Sequence, residues 1–209
     1  MAAYDLEEQE QLAELKAWWK QYGNLVLGAI AAVLLVFAAW NGWRWYQRSQ
    51  ALEAAALYEN LQTAARMSDG KAVRDAAGGI LEKYAGTAYA PLAALVSAKV
   101  NYQAGDLKTA RAQLQWAVDN ARQEEVRAIA RLRLAAVLMD DKAYDEAMKI
   151  VQAKPANGFD ALFASMRGDI LSAQGKRAEA RTAYREAVEK ATDTAIRETL
   201  RLKLDALGE

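Results

Sequence analysis

Gly105-Asp106-Leu107-Lys108-Thr109-Ala110 decides the fold, because its plan is repeated along the chain. Lys142-Ala143-Tyr144-Asp145-Glu146-Ala147 and Gly175-Lys176-Arg177-Ala178-Glu179-Ala180 again place a turn residue five positions before an alanine. The alanines recur at about 35 residues, a period that marks stacked supersecondary units. A degenerate earlier copy is read at Lys71 to Ala76, one period ahead. Outward from each turn the chain is rich in Ala, Leu, Glu, Arg and Gln, which are helix formers, and no alternating strand pattern stands out. Leu107, Ala110, Leu114, Ala117, Val118 and Ala121 step by three and four, and so do Ala180, Tyr184, Ala187, Val188 and Ala191. Each set makes one buried helical face.

The spacing resembles the tetratricopeptide repeat, whose period is about 34 residues. Before each turn a small residue marks a close helix crossing, at Ala64, Ala98, Ala135 and Gly168; after it Leu114, Val151 and Tyr184 supply the bulky wedge. About four helix pairs are expected, with the Lys71 copy irregular. A final helix around Ala195 to Leu207 caps them through the single stripe Ile196, Leu200, Leu204 and Leu207. One helix carries two apolar rows: Val126, Ala130, Leu134, Val137 and Leu138, then Ile129, Leu132, Ala136 and Met139. An inner helix that packs on one side and lines a groove on the other has that pattern. A plain helical bundle is the alternative.

Ahead of the repeats, no charged residue occurs between Lys20 and Arg44. A bilayer core of about 30 Å takes about 20 helical residues, so Gly23 to Trp43 is long enough to span it. Trp18, Trp19 and Tyr22 lie at one end and Trp40, Trp43, Trp45 and Tyr46 at the other, as two interfacial belts would. A cleavable signal would have a basic start, whereas residues 1–20 carry five acids and two lysines. Lys16 and Lys20 on one side balance Arg44 and Arg48 on the other, so the positive-inside count leaves orientation open. Leu12, Leu15, Trp19 and Tyr22 share one face, which suggests a short amphipathic helix lying along the interface. For residues 1–10 a solvated charged tail is the alternative.

The architecture read from the sequence is therefore all-α. Residues 1–22 form an acidic, amphipathic segment, 23–43 a transmembrane helix, and 44–209 a tetratricopeptide-like solenoid with a C-terminal capping helix. The 209 residues include no His and no Cys, which excludes a disulfide framework, thiol or imidazole catalysis and a His/Cys metal site. Equal counts of 27 basic and 27 acidic side chains argue against nucleic acid as a partner. That balance sums unlike parts: residues 1–43 are net acidic and residues 44–209 net basic. The adjacent acids Glu124-Glu125 and Asp140-Asp141 diverge by about 100° on a helix and make no catalytic pair. No catalytic residue, cofactor or metal is expected, and the chain reads as a binding protein.

The chain also resembles, over essentially its whole length, the YfgM-type ancillary subunit of the bacterial Sec translocon. The matching features are the acidic start, a span ending in Gly42-Trp43-Arg44-Trp45-Tyr46, and repeats containing Leu132-Arg133-Leu134-Ala135 and Met166-Arg167-Gly168-Asp169-Ile170-Leu171. The resemblance implies a single-pass inner-membrane protein with its N-terminus in the cytoplasm and its repeat domain in the periplasm. It implies association with the SecYEG channel and with a periplasmic chaperone of the prolyl-isomerase-like PpiD type, and a role in passing secreted, still unfolded clients onward. A structural scaffold, an assembly factor or a modulator of a stress response at the inner membrane is the alternative role.

If the repeats curve normally, inner helices line a concave surface that takes extended peptides or a partner helix. Repeat phasing puts Leu95, Lys99, Tyr102, Leu132, Arg133, Met139, Leu162, Met166 and Asp169 on or near it. For Leu132 and Leu162, inter-repeat core is an equal reading. The Lys and Asn pattern that clamps acidic C-terminal peptides is absent, because Leu95 and Lys99 stand at two of its positions. In the span, Gly28 and Ala32 form a small-xxx-small pair beside Asn24, a candidate contact for another transmembrane helix.

Overall fold

The computed structural model describes residues 3–208, with side chains from Glu10 onward, and all its regular structure is helical. The chain divides into two compact units at Ser49/Gln50.

The first unit is formed by α1 (Ala3–Arg66) up to Ser49. No helix end separates residues 10–22 from the apolar stretch, where the sequence reading places a separate interfacial helix. Gly23 explains how the helix runs on with a bulky neighbour: the Trp19 indole lies over it, 3.2 Å from where a Cβ would stand. The apolar side chains that follow point outward, with Leu25, Leu35 and Val36 all at least 70% exposed. A helix apolar on every face, with those side chains exposed, fits a membrane anchor.

The second unit holds the end of α1 and then α2 (Gly70–Lys83), α3 (Tyr89–Gln103), α4 (Leu107–Asn120), α5 (Glu124–Asp140), α6 (Tyr144–Gln152), α7 (Asp160–Ala173), α8 (Arg177–Lys190) and α9 (Thr194–Asp205). From α2 onward each helix packs on the next, the end of α1 shares a core with α2 through Leu61, and α5 also touches α3 and α7, the helices one repeat away. This is a tetratricopeptide-like solenoid of four helix pairs, with α9 as the cap.

Each pair is closed by the same turn. A residue in the left-handed region ends the first helix, at Ser68 (φ 58°), Gly105 (81°), Lys142 (58°) and Gly175 (77°). The next amide bonds back to the carbonyl five residues earlier: Asp69 to Ala64, Asp106 to Asn101, Ala143 to Leu138 and Lys176 to Leu171. These Schellman-type closures satisfy carbonyls that a helix end leaves open. Asp69 and Asp106 then cap the following helices through their side chains.

This register corrects the first repeat. Its turn lies at Ser68 rather than Lys71, so the counterpart of Ala110 is the fully buried Val73. The crossing position moves from Ala64 to Leu61, and its partner is Ala77. The four crossings thus pair Leu61 with Ala77, Ala98 with Leu114, Ala135 with Val151 and Gly168 with Tyr184, each one small residue against one larger. The first pair inverts the order, which is why its pattern is faint in the sequence. The turns between pairs also repeat. Guanidinium Nη2 of Arg127 donates to the Ala121 carbonyl at 2.5 Å, and Arg197 donates likewise to Ala191, two repeats on.

Candidate partner-binding groove

The two rows on α5 separate in part, since Val126 of the first row is itself only half-buried. Ala130, Leu134, Val137 and Leu138 are buried, whereas Ile129, Leu132, Ala136 and Met139 are partly open. Ala136 and Met139 of the open row, with Val137, face a groove whose walls come from α3, α5 and α7, with the end of α1 at one extremity and α9 at the other, whereas Ile129 and Leu132 pack against the core. It consists of adjoining depressions: the first two share Lys99 and Arg133, the second and third share Tyr102 and Ala136.

The structure places six of the nine groove candidates on its lining: Lys99, Tyr102, Arg133, Met139, Met166 and Asp169. Leu95 is different. It is 5% exposed inside the main core, because α3 turns that position toward α4 and α5, so it supports the groove from beneath. Leu132 is half-buried against the same core, and Leu162 is exposed one turn ahead of Met166 on α7.

Asp169 is on the lining but already engaged. It accepts the Tyr184 hydroxyl at 2.7 Å, and both its oxygens accept from Lys203 Nζ at 2.7 Å. Lys203 also reaches Ser165 Oγ at 3.2 Å and lies 5.9 Å from the Tyr184 ring centre. Burial, with the Asp169 hydrogen bond second, holds the Tyr184 phenol above the ordinary tyrosine range. These contacts tie α7, α8 and α9 together, so Asp169 fixes the groove's shape and is not a vacant acceptor. Its sequence signal, an acid on an inner helix, is the same for both roles.

Tyr102 donates to Asp140 Oδ2 at 2.5 Å, a bond that raises its pKa and fixes its ring at the meeting of two depressions. A polar set that sequence reasoning missed lies just behind. Buried Asn101 donates to Gln113, whose amide donates to buried Ser97, at 2.9 Å each. Polar residues at these positions look solvent-facing until α3 and α4 are paired.

The paired acids do not converge. Glu124 bonds to Arg127 at 2.6 Å and Asp140 to Tyr102. Among the residues described, no three acids group as a metal site would require. In the first unit, Asn24, Gly28 and Ala32 are exposed, and a Cβ at Gly28 would meet nothing within 4 Å.

Residues 16–209 match a tetratricopeptide repeat-like domain family. The chain is 30% identical over 205 residues to a protein of Escherichia coli, covering 96% of this chain and 97% of that one. It is 29% identical over 209 residues to a Neisseria gonorrhoeae protein, 99% and 100% covered, and 29% over 185 residues to one of Haemophilus influenzae, 88% and 90% covered. All three relatives are named ancillary SecYEG translocon subunit, and none is named as an enzyme.

Proposed function

Since this chain belongs to the family of ancillary SecYEG translocon subunits, built on a tetratricopeptide repeat-like domain, we propose that it is a membrane-anchored adaptor at the Sec channel. Residues 23–43 span the inner membrane, 1–22 lie in the cytoplasm and 44–209 in the periplasm. The observation that carries this reading is that relatives of that name match along nearly the full length, the apolar helix included. Orientation rests on the family, because the flanking basic residues are balanced.

Two surfaces do the work in this proposal. The open face of Asn24, Gly28 and Ala32 meets a transmembrane helix of the channel, since small residues let two helices approach closely. The groove meets a PpiD-type chaperone or an emerging, unfolded client. Met139 and Met166 suit it to varied partners, because unbranched thioethers repack at low cost. Tethering keeps the repeats near channel-bound partners and raises their effective concentration there.

A compartment-sensitive reporter fused at Glu209 tests the topology: periplasmic activity is expected, and cytoplasmic activity would refute it. Photo-crosslinkers at Tyr102 and Met139 test the groove. Chaperone or client adducts are expected there, and adducts from the convex helices alone would refute its use.

A further inference from the structure

The groove changes chemistry along its length. Where α1, α3 and α5 meet, Arg66, Lys99 and Arg133 surround two adjoining depressions, and no acidic side chain lines either. Among the described residues, Lys99 and Arg133 make no ion pair, and Arg66 uses only its Nε, on the Gln62 carbonyl at 3.4 Å. Six basic side chains elsewhere, those of Arg111, Arg127, Arg167, Lys190, Arg201 and Lys203, have a carboxylate partner. Three neighbouring cations without a counter-charge repel one another, and their field is strengthened in a concave site.

Beside them lies an apolar hole of about 330 Å³. Ala98, Leu114, Ala136 and Val137 form its floor, and Tyr102, held by Asp140, forms a wall. The hole exists because Ala98 and Ala136 are small where two inner helices run side by side. It opens to the groove and is large enough to admit a leucine or phenylalanine side chain.

We propose that this end of the groove binds a protein segment in which acidic residues flank a single aliphatic or aromatic anchor. The inference rests on the adaptor reading and names the chemistry of its partner. The anchor fills the hole and the acidic side chains neutralise Arg66, Lys99 and Arg133. Charge complementarity selects this occupant. A basic segment is repelled, and a wholly apolar one leaves the three cations uncompensated. The arrangement is no clamp for a terminal carboxylate, since the cations are spread over three helices and accept side-chain carboxylates within a chain.

The test uses the full chain in phosphatidylcholine nanodiscs and three short fluorescent peptides. One alternates Glu and Asp around a single central Phe, one replaces the acids with Lys, and one keeps the acids but replaces the Phe with Ser. The first peptide should bind, more weakly as salt rises. Lys99→Glu with Arg133→Glu should weaken it by about tenfold or more, as loss of close charge pairs does. Ala136→Trp, which fills the hole while leaving the cations, should weaken it without changing the salt dependence. Circular dichroism of each variant checks folding, and Lys99→Gln with Arg133→Gln serves if the reversal unfolds the protein. Equal binding of the Lys peptide, undiminished binding by these variants, or equal competition by the Ser peptide or phosphatidylglycerol vesicles would overturn the inference. Failure of the native chain to bind the first peptide while channel subunits still co-isolate with it would sink this inference alone, whereas peptide binding without co-isolated channel subunits would sink the adaptor reading alone.

Discussion

The Tyr184 ring lies 2.7 Å from the point where a Cβ on Gly168 would stand, so α7 and α8 cross at a distance only glycine permits. The ring cannot swing aside, because its hydroxyl is bonded to Asp169 and its faces are buried. Gly168→Ala gains about 1 kcal/mol of helix propensity and loses about 1–3 kcal/mol to overpacking, so a net loss near 1 kcal/mol is expected. Adding Tyr184→Leu recreates the Ala98 with Leu114 crossing and should recover part of it. Urea denaturation of the four proteins of this cycle measures the coupling.

Asp169 and Lys203 hold the cap. Asp169→Ala or Lys203→Ala should loosen α9 by about 1 kcal/mol, since the pair is partly exposed. Amide hydrogen exchange in α9 should speed up by about fivefold, while exchange in α3 and α4 stays unchanged. Uniform acceleration would show that α9 is not a separable cap.

Alkaline pH should act through Tyr184. Its pKa in the folded chain is raised above the unfolded value of about 10, so its contribution is complete below that pH and is lost as pH climbs through the folded value. Tyr184→Phe should be less stable at neutral pH, with a shallower fall in stability above about pH 10. Thermal melts across the alkaline range read both.

Lys142 pays for a turn that two other repeats make with glycine. Its φ of 58° matches the left-handed region of Gly105 and Gly175, where a side chain costs about 1 kcal/mol. Lys142→Gly should raise stability by up to about 1 kcal/mol, and Gly105→Ala should lower it by a similar amount. Both are read from denaturation midpoints.

The repeat was legible because its turns use residues of special conformation at fixed intervals, and helix periodicity does the rest. Gly105 and Gly175 announce themselves, whereas Ser68 does not, and sequence pattern alone therefore sets the earliest turn three residues late. Leu61 opposite Ala77 reverses the usual small-then-large order, which hid that crossing too. Helix phase put Lys99, Tyr102, Arg133, Met139, Met166 and Asp169 on the lining, but phase alone cannot show which lining residues are engaged within the protein itself. Asp169 meets Lys203 from α9, and Leu95 sinks beneath α5, only once several helices are packed. The cationic end of the groove was likewise hidden, since the lack of acids near Arg66, Lys99 and Arg133 is a property of space rather than of sequence.

The most direct test of the adaptor account is purification of the full chain from membranes in mild detergent, alongside a version with residues 23–43 exchanged for an unrelated span. SecYEG subunits should accompany the native chain and be depleted from the exchanged one. A native chain that emerges without any channel subunit would contradict the account.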